Sequence, residues 1–593
     1  MHLSRTHFLL IPLFVAVLLS GVMLPALHAQ TVRGLVAWHY SGQTFLTWES
    51  AGDAVQHYTV YRSRRPLRTA LALQQAEERF IVAPGQSYNR RLSATLGIPV
   101  YYRLPGPGGA LDFTDEYFVV TGGVYGTWYY AVTVTGTKGE IRLLREGRNT
   151  VTNGVLEYLA IPSPAHQGRF QIAGGGVDIF VHWGSSRALP GMPAMSNRHM
   201  QPFLFALRKN GGARSHPLLV RLHGRTGSFL YQTLDSGNPQ EYVLSLDDAL
   251  PGAVKNTFWF GYDSTLVIDD SRLRPAAITR VRPYTARRVA WTMEWALRKL
   301  PVDPTRVIVS GTSMGGSGAA FSIFNRDMPV AAALALIPRL DFRVRDLADA
   351  PRSGNAFQHF DALWGSVERR PRLDDGSPLY DRLDFALRLQ RDDLRDLPHL
   401  RVISGAQDSI VGFRQTWPAM RSADRRHAGI TFFWDERGHD TGDRFLWTPM
   451  ENIIDLSRYR ADRSWPAFSG DSEGDPVQRR SGSRNARAAW FEPVVDLPGS
   501  WSVGLRRRPL EQRDSLSSFP MEIVVDVTPR RLQRFRVEGG TWYDAELTRA
   551  GRVVFQATVR AVRDGELTVP GVPLSPDPAR LELRPSFGPV LPR

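Results

Sequence analysis

Hydrophobic and polar positions alternate with a period of two near the start of the chain. Phe45–Glu49 and Tyr58–Arg62 show this alternation, and Tyr129–Val134 is rich in aromatic and β-branched residues beside glycine-containing turns. Such runs are typical of strands that bury one face and expose the other. We therefore predict a β-sandwich over residues 30–150, followed by a β-rich connection over residues 151–200.

Between residues 201 and 466 the pattern changes to short apolar runs separated by helical segments. The predicted strands are Phe203–Leu207, Leu218–Leu222, Thr257–Phe260, Arg306–Val309, Ala332–Ile337, Leu400–Ile403 and Ile430–Trp434. The clearest helix is Tyr284–Leu300, whose apolar residues recur every three or four positions. Strands alternating with helices imply a mostly parallel sheet with helices on both faces. A charged insertion at 340–396 interrupts this predicted α/β domain.

The last quarter of the chain returns to β-type runs. A linker rich in Ser, Gly, Asp and Arg spans 467–489. Beyond the linker, strands are predicted at Met521–Val527, Leu532–Val537, Val553–Val559 and Glu566–Val569. We predict an independent C-terminal β-sandwich over 490–593.

The first 29 residues resemble an export signal. Basic residues precede the apolar stretch Phe8–Leu19, and Ala26–Ala29 offers a small-residue cleavage site. This order is typical of a secretory signal peptide, so we expect a secreted or periplasmic bacterial protein. No later segment reaches 18 uninterrupted apolar residues, and no integral membrane segment is predicted after cleavage. The absence of cysteine excludes disulfides, thiol catalysis and Cys-ligated zinc.

The net charge of +15 and the pI near 10.2 at first suggest a nucleic-acid partner. Only four of the 73 basic residues are lysine, and the arginines are interleaved with Asp and Glu along the whole chain. A phosphate-binding surface would gather its cations into a stripe. We therefore predict no nucleic-acid partner.

The motif G-x-S-x-G occurs twice, at Gly311–Gly315 and Gly470–Gly474. Ser313 follows a β-branched run and precedes small residues that can begin a helix, which is the context of a strained strand-to-helix turn around a nucleophile. Ser472 has no strand before it and no helix after it. We interpret Ser472 as a loop residue and Ser313 as the candidate nucleophile.

A serine hydroxyl needs a base, which is usually a histidine oriented by a carboxylate. Asp408 and His439 follow successive predicted strands, 95 and then 31 residues further along the chain. This order of Ser, acid and His is typical of a hydrolase built on a parallel sheet. Three acids near His439 also compete for the orienting role, namely Asp435, Asp440 and Asp443. We favour Asp408, because acids in the same loop would reach Nδ1 only through a tight bend.

The oxyanion formed during acyl transfer needs two backbone donors. The N–H of Met314 is one candidate, because it lies at the start of the predicted helix. The second is the N–H of Arg225, in a turn after Leu218–Leu222, with Gly224 or Thr226 as alternatives. We expect His223 to buttress this turn rather than to act as a base.

These segments resemble known hydrolases. Asp303–Gly316 is similar to the segment around the nucleophile in secreted feruloyl and acetyl-xylan esterases and polyhydroxybutyrate depolymerases, and less closely in prolyl oligopeptidase-type peptidases. Ser404–Val411 and Gly438-His439 resemble the acid and histidine segments of the same enzymes. The resemblance implies an α/β-hydrolase fold over about 202–450, flanked by the two β-sandwich domains. Trp48 and Tyr129–Thr133 give the N-terminal region a resemblance to fibronectin type III domains.

The sequence thus predicts an exported serine hydrolase with the triad Ser313, His439 and Asp408 and with no metal or cofactor. We favour a carboxylesterase acting on a polymer, glycan or aryl ester, including an ester bound at a surface. Two alternatives are a prolyl oligopeptidase-like peptidase and a non-catalytic surface-binding protein on a hydrolase scaffold. Trp259, Trp364 and Trp417 are candidate substrate contacts, although a core or lid role fits each of them. No oligomeric state is indicated.

Overall fold

The computed structural model describes most of the chain. The described residues are 31–172, 175–209, 215–230, 241–276, 280–345, 351, 354–442, 445–447, 450, 454–508 and 522–588. The predicted signal peptide at 1–29 lies outside these ranges and stays a prediction.

Ten strands form one central sheet, numbered here in chain order. They are β1 (Ala165–Ile172), β2 (Gly175–Gly184), β3 (Gln201–Lys209), β4 (His216–Leu222), β5 (Tyr242–Leu246), β6 (Val302–Thr312), β7 (Val330–Leu336), β8 (His399–Gly405), β9 (Ile430–Asp435) and β10 (Gly482–Arg484). Their order across the sheet is β1-β2-β3-β5-β4-β6-β7-β8-β9-β10. The six strands from β5 to β9 in this order are mutually parallel, and the outer strands pair antiparallel. The predicted mostly parallel sheet is confirmed, and it begins at Ala165, within the segment expected to be a connection.

Six helices accompany the sheet. They are α1 (Tyr284–Lys299), α2 (Met314–Ser322), α3 (Gly354–Trp364), α4 (Leu379–Arg382), α5 (Phe385–Arg391) and α6 (Trp417–Arg425), with 3-10 turns at Val367–Arg369, Arg414–Thr416 and Ile454–Arg458. Helices α3 to α5 lie in the insertion between β7 and β8, which also contributes Arg372–Leu373 to a small sheet with Tyr262–Asp263 and Arg280–Arg282. Within the described ranges, no helix combines the length and apolarity needed to cross a membrane.

Both faces of the central sheet are buried, which explains the continuous apolar runs of its strands. Leu218 and Val220 of β4 pack with Met293 of α1 on one face. Leu219, between them, packs with Val243 and Ile308 on the other face. A parallel sheet with helices on both faces and a sharp strand-to-helix turn between β6 and α2 defines an α/β-hydrolase fold.

Antiparallel sheets flank this domain on both sides. The N-terminal region pairs Arg33–Tyr40, Gln43–Glu49 and Asp115–Thr121 in one sheet and Glu78–Val82, His57–Ser63, Gly126–Gly136, Val155–Glu157 and Gly139–Ile141 in a second. The C-terminal region pairs Trp465–Ser469, Ile523–Arg530 and Val569–Leu574 in one sheet and Ala488–Leu497, Ser500–Arg507, Ala579–Ser586, Trp542–Arg549 and Arg552–Arg560 in the other. The predicted β domains are thus present, while the fibronectin type III resemblance stays a prediction.

The predicted strand Glu566–Val569 is displaced, because the strand runs over Val569–Leu574. Two further predicted strands are wrong for local reasons. Thr257–Phe260 is a turn in which Phe258 and Trp259 have φ of 52° and 60°, because Asp248 accepts hydrogen bonds from the backbone N–H groups of Thr257 and Trp259, both at 3.0 Å.

The segment Leu532–Val537 also lies outside the strands. The carboxylate of Asp496 accepts the N–H groups of Gln533, Arg534 and Phe535 at 2.6–3.0 Å. These donors are therefore unavailable to a neighbouring strand.

Two buried arginines join the C-terminal region to the hydrolase domain. Arg530 donates to the carbonyl oxygens of Leu394 (2.9 Å) and His427 (2.8 Å). Arg531 donates to the carbonyl oxygen of Val330 (2.6 Å). Burial lowers the pKa of each guanidinium to about 10. The several N–H donors of each arginine therefore tie the C-terminal region to backbone carbonyl groups of the hydrolase domain.

His399, at the start of β8, makes the stability of the fold dependent on pH. Its ring stacks on Tyr459 at 4.2 Å, and burial together with the charge of Arg401 lowers its pKa to about 3. Below its ordinary pKa of about 6.5 the unfolded chain takes up a proton that the folded chain excludes, so stability is lost as pH falls. Between pH 7 and pH 4 this histidine alone is expected to remove about 3 kcal/mol.

Urea unfolding at pH 7, 5.5 and 4 tests this expectation. The free energy of unfolding of His399→Gln should fall less steeply with decreasing pH than that of the wild type. Parallel pH dependences in the two proteins would contradict the assignment to His399.

Candidate active site

Ser313 lies at a sharp turn between β6 and α2. Its φ of 57° and ψ of −115° are strained for a residue with a side chain, and such strain is of the order of 1–3 kcal/mol. The turn is held because the N–H of Ser313 donates to the carbonyl oxygen of Leu336 in β7 at 2.8 Å. The strained backbone leaves the hydroxyl at the end of the parallel strands, where a substrate can approach it.

Glycines around Ser313 allow three backbones to meet. A Cβ on Gly315 would lie 1.9 Å from the carbonyl oxygen of Leu222, and one on Gly316 would lie 2.4 Å from that of Leu336. A Cβ on Gly311 would lie 2.3 Å from the carbonyl oxygen of Gly315. The small residues of the motif are therefore required by the close approach of α2 to β4 and β7.

Three polar side chains form a hydrogen-bonded series at this turn. The Oγ of Ser313 lies 2.7 Å from Nε2 of His439, and Nδ1 of His439 lies 2.7 Å from Oδ2 of Asp408. The ionised carboxylate can only accept, so Nδ1 carries the ring proton and Nε2 is left to accept from the serine. The other oxygen of Asp408 accepts the N–H groups of Ile410 and Val411, both at 2.9 Å.

The acids close to His439 in sequence are placed differently. The carboxylate of Asp435 is paired with Arg437, its Oδ1 accepting from Nε at 2.7 Å and its Oδ2 from Nη2 at 2.9 Å. Asp435 also accepts the N–H of Trp447 at 3.2 Å. Asp443 lies outside the described residues. Nδ1 of His439 instead donates to the carboxylate of Asp408, which is 3% exposed.

The turn after β4 runs beside Ser313. A Cβ on Gly224 would lie 3.7 Å from Cβ of Ser313 and 3.3 Å from the carbonyl oxygen of Thr312. Arg225 is the next residue in this turn, and Met314 begins α2 on the other side of Ser313. The assignment of Met314, Arg225 and Gly224 to the oxyanion hole stays a prediction.

Hydrogen bonds of His223 and its neighbours stabilise this turn. The His223 ring is 1% exposed; its Nδ1 donates to the carbonyl oxygen of Gly224 at 2.7 Å, and its Nε2 accepts the N–H of Asp248 at 2.8 Å. The indole N–H of Trp259 donates to the carbonyl oxygen of His223 at 3.1 Å. Both ring nitrogens are therefore occupied by backbone groups of the turn and its surroundings.

The N-terminal β region contacts the same turn through Arg91. Its guanidinium donates to both carboxylate oxygens of Asp247 at 2.8 and 2.9 Å and to the carbonyl oxygen of Gly227 at 3.3 Å. Burial would raise the pKa of Asp247, but interactions with His223 and Arg91 outweigh burial and lower the pKa to about 2. The flanking region thus helps to hold a loop of the candidate site.

The three candidate tryptophans occupy different surroundings. Trp259 is 4% exposed and lies against Gly318 of α2. Trp364 is fully buried, stacks on Phe360 and donates to the carbonyl oxygen of Gly261 at 2.7 Å. Trp417 is half-buried at the start of α6. The packing of the first two is that of core residues, and the assignment of all three to substrate contact stays a prediction.

Comparison with solved structures gives matches to hydrolases over about half to three quarters of the chain. An S-formylglutathione hydrolase from Agrobacterium tumefaciens is 15% identical, over 49% of this chain and 95% of its own, with a TM-score of 0.31. An acetyl xylan esterase from Paenibacillus sp. R4 is 15% identical, over 50% and 88%, with a TM-score of 0.32. A putative dipeptidyl aminopeptidase IV from Bacteroides ovatus is 11% identical, over 72% and 57%, with a TM-score of 0.34. No protein-family model and no curated protein matches the sequence.

Proposed function

We propose that this chain is a serine esterase in which Ser313 is the nucleophile, His439 the general base and Asp408 the residue that orients the imidazole. The observation that supports this proposal is the series of two 2.7 Å hydrogen bonds from Ser313 through His439 to Asp408. A serine hydroxyl bonded to the unprotonated nitrogen of a carboxylate-oriented imidazole is activated for attack on a carbonyl carbon.

The reaction proceeds in two halves. The Oγ of Ser313 bonds to the ester carbonyl carbon while Nε2 of His439 takes the hydroxyl proton. Collapse of the tetrahedral intermediate breaks the bond to the alcohol, which receives that proton and leaves an acyl-serine. A water molecule then attacks the acyl-serine and gives its proton to His439, and the carboxylic acid departs as Ser313 is restored. The N–H groups of Met314 and Arg225 would stabilise the oxyanion in both halves.

The substrate class follows from the surroundings of the nucleophile. Sheet-rich regions flank the hydrolase domain, and an insertion with α3 separates β7 from β8, which suits a bulky or polymer-borne ester rather than a small metabolite. The resemblance of Asp303–Gly316 to secreted carbohydrate and polyester esterases supports an ester over an amide. Hydrolysis of aminoacyl-proline amides in preference to aryl and acyl esters would favour a peptidase.

Labelling with a fluorophosphonate probe tests the proposed nucleophile. The wild-type protein should be labelled at Ser313, and Ser313→Ala should take no label, because the probe requires an activated serine. Ser472→Ala is the matched control from the second G-x-S-x-G motif and should label like the wild type, since the Oγ of Ser472 accepts the N–H of Val524 at 3.0 Å in a loop. Failure of the wild type to label would refute the proposed enzyme.

A further inference from the structure

A small cavity lies where the hydrolase domain meets the C-terminal region. Its volume is about 40 Å³, and its walls come from β8, β9, the 3-10 turn at Ile454–Arg458 and the strands Trp465–Ser469 and Ala488–Leu497. A water-sized group needs about 10–15 Å³ of such space, so the cavity has room for a ligand of one to three heavy atoms. The side chains that decide its chemistry are those of Arg401, Asp455, Arg458, Trp465 and Arg508.

Positive charge is in excess around this cavity. Arg401 is 4% exposed and donates two hydrogen bonds to Asp455, at 2.6 and 3.1 Å. Asp455 supplies the only carboxylate among the described lining residues. Arg458 and Arg508 form no ion pair within the described part of the chain. The ring of His399 is uncharged at neutral pH, since its pKa is about 3. Three guanidinium groups therefore surround a space that holds one carboxylate.

Two buried N–H donors in the cavity wall lack an acceptor. Nε of Arg508 and Nε1 of Trp465 have no hydrogen-bond partner among the described residues. Trp465 is 2% exposed, and the Arg508 side chain is held because Nη2 donates to the carbonyl oxygen of Ala486 at 3.1 Å. Burial and the charge of Arg401 lower the pKa of the Arg508 guanidinium. A buried donor without an acceptor is destabilising, so these two N–H groups require an acceptor inside the cavity.

Arg458 adds a further positive charge from the exposed side of the cavity. Its guanidinium lies 3.6 Å from the ring centre of Trp490 and donates to the carbonyl oxygen of that residue. Glu492, whose charge also acts on Arg458, lies 4.0 Å from Arg463. Contact with a ring face and a carbonyl group fixes the guanidinium without neutralising it. Its charge is therefore available to an anion in the cavity.

We propose that this cavity binds a small monovalent anion of the size of chloride. The N–H groups of Arg508 and Trp465 would donate to the ion, and its charge would offset the excess of guanidinium groups. A water molecule fills the same space but brings no charge, and the five heavy atoms of sulfate or phosphate exceed the space. The ion would contact strands of both regions, so its binding would stabilise their junction. This inference does not depend on the proposed esterase function.

Thermal unfolding of the full chain tests the site without any assay of activity. Tm should rise with sodium chloride above its value in sodium gluconate at equal ionic strength, because a ligand that binds the folded chain stabilises it. Bromide should act like chloride. Arg508→Gln should raise the apparent Kd for chloride about tenfold or more, and Trp465→Phe about fivefold, since the first loses a charged donor and the second a neutral one.

Arg506→Gln is the matched control, because it removes the same charge from an exposed residue of the strand that precedes Arg508. Its response to chloride should equal that of the wild type. Near-ultraviolet circular dichroism checks the fold of each variant, and Trp465→Phe decides the question if Arg508→Gln does not fold. Equal Tm values of the wild type in chloride and gluconate would overturn the inference. A chloride effect that persists unchanged in the folded site variants, or that Arg506→Gln reduces as much as they do, would also overturn it.

Discussion

Replacement of His439 by alanine is expected to lower kcat for ester hydrolysis by about a millionfold, and Asp408→Asn by about ten-thousandfold. Without the imidazole, the hydroxyl of Ser313 has no base to take its proton. With asparagine at position 408, the amide can donate to Nδ1, which favours the tautomer whose Nε2 no longer accepts from the serine. Steady-state kinetics on an aryl ester measure both losses.

Asp440→Asn is the matched control for the choice of acid, because Asp440 directly follows His439 in the chain. Its effect on kcat should be smaller than tenfold. Near-ultraviolet circular dichroism should show that all three variants keep the packed fold. An equal loss of activity in Asp440→Asn and Asp408→Asn would contradict the assignment of the acid and would point to the histidine loop itself.

Gly315→Ala is expected to lower the free energy of unfolding by about 3 kcal/mol. The new methyl group would lie 1.9 Å from the carbonyl oxygen of Leu222, which belongs to the backbone of β4 and cannot rotate away as a side chain would. Relief requires α2 to move away from the sheet, and that movement also displaces the Ser313 turn. Urea unfolding and fluorophosphonate labelling measure the two consequences.

Gly499→Ala provides the control for the same chemical change. A Cβ at Gly499 has no atom within 4 Å, and the residue does not have a positive φ. Its free energy of unfolding should stay within about 0.5 kcal/mol of the wild type. Wild-type stability in Gly315→Ala would show that the close approach of α2 to β4 does not constrain the fold.

The sheet and the order of the three polar residues could be predicted from local patterns. β4, β6, β7, β8 and β9 are short apolar runs, and each of Ser313, Asp408 and His439 follows one of them. β5 was missed although Tyr242–Leu246 is fully buried. Its five residues follow a segment without regular periodicity, so no pattern separated this strand from a buried loop.

The groups that support the candidate site could not be predicted from the sequence. Arg91 and Asp247 are 156 positions apart, and nothing in the local sequence of either residue indicates the other. Asp248 changes the predicted strand at Thr257–Phe260 into a turn by capping its N–H groups. Strand propensity is overridden where a buried carboxylate accepts hydrogen bonds from the backbone N–H groups that would otherwise pair with a neighbouring strand.

The contact between Arg91 and Asp247 bears on whether the regions of this chain are separable modules. A hydrolase domain cut free near residue 160 would retain Asp247, buried and charged, but would lose the guanidinium that neutralises it. The turn carrying Gly224 and Arg225 would then lose its support from the missing region. The N-terminal region thus contributes Arg91 to the support of the turn beside Ser313. An exchange of this region between related chains would have to keep Arg91 and Asp247 as a matched pair.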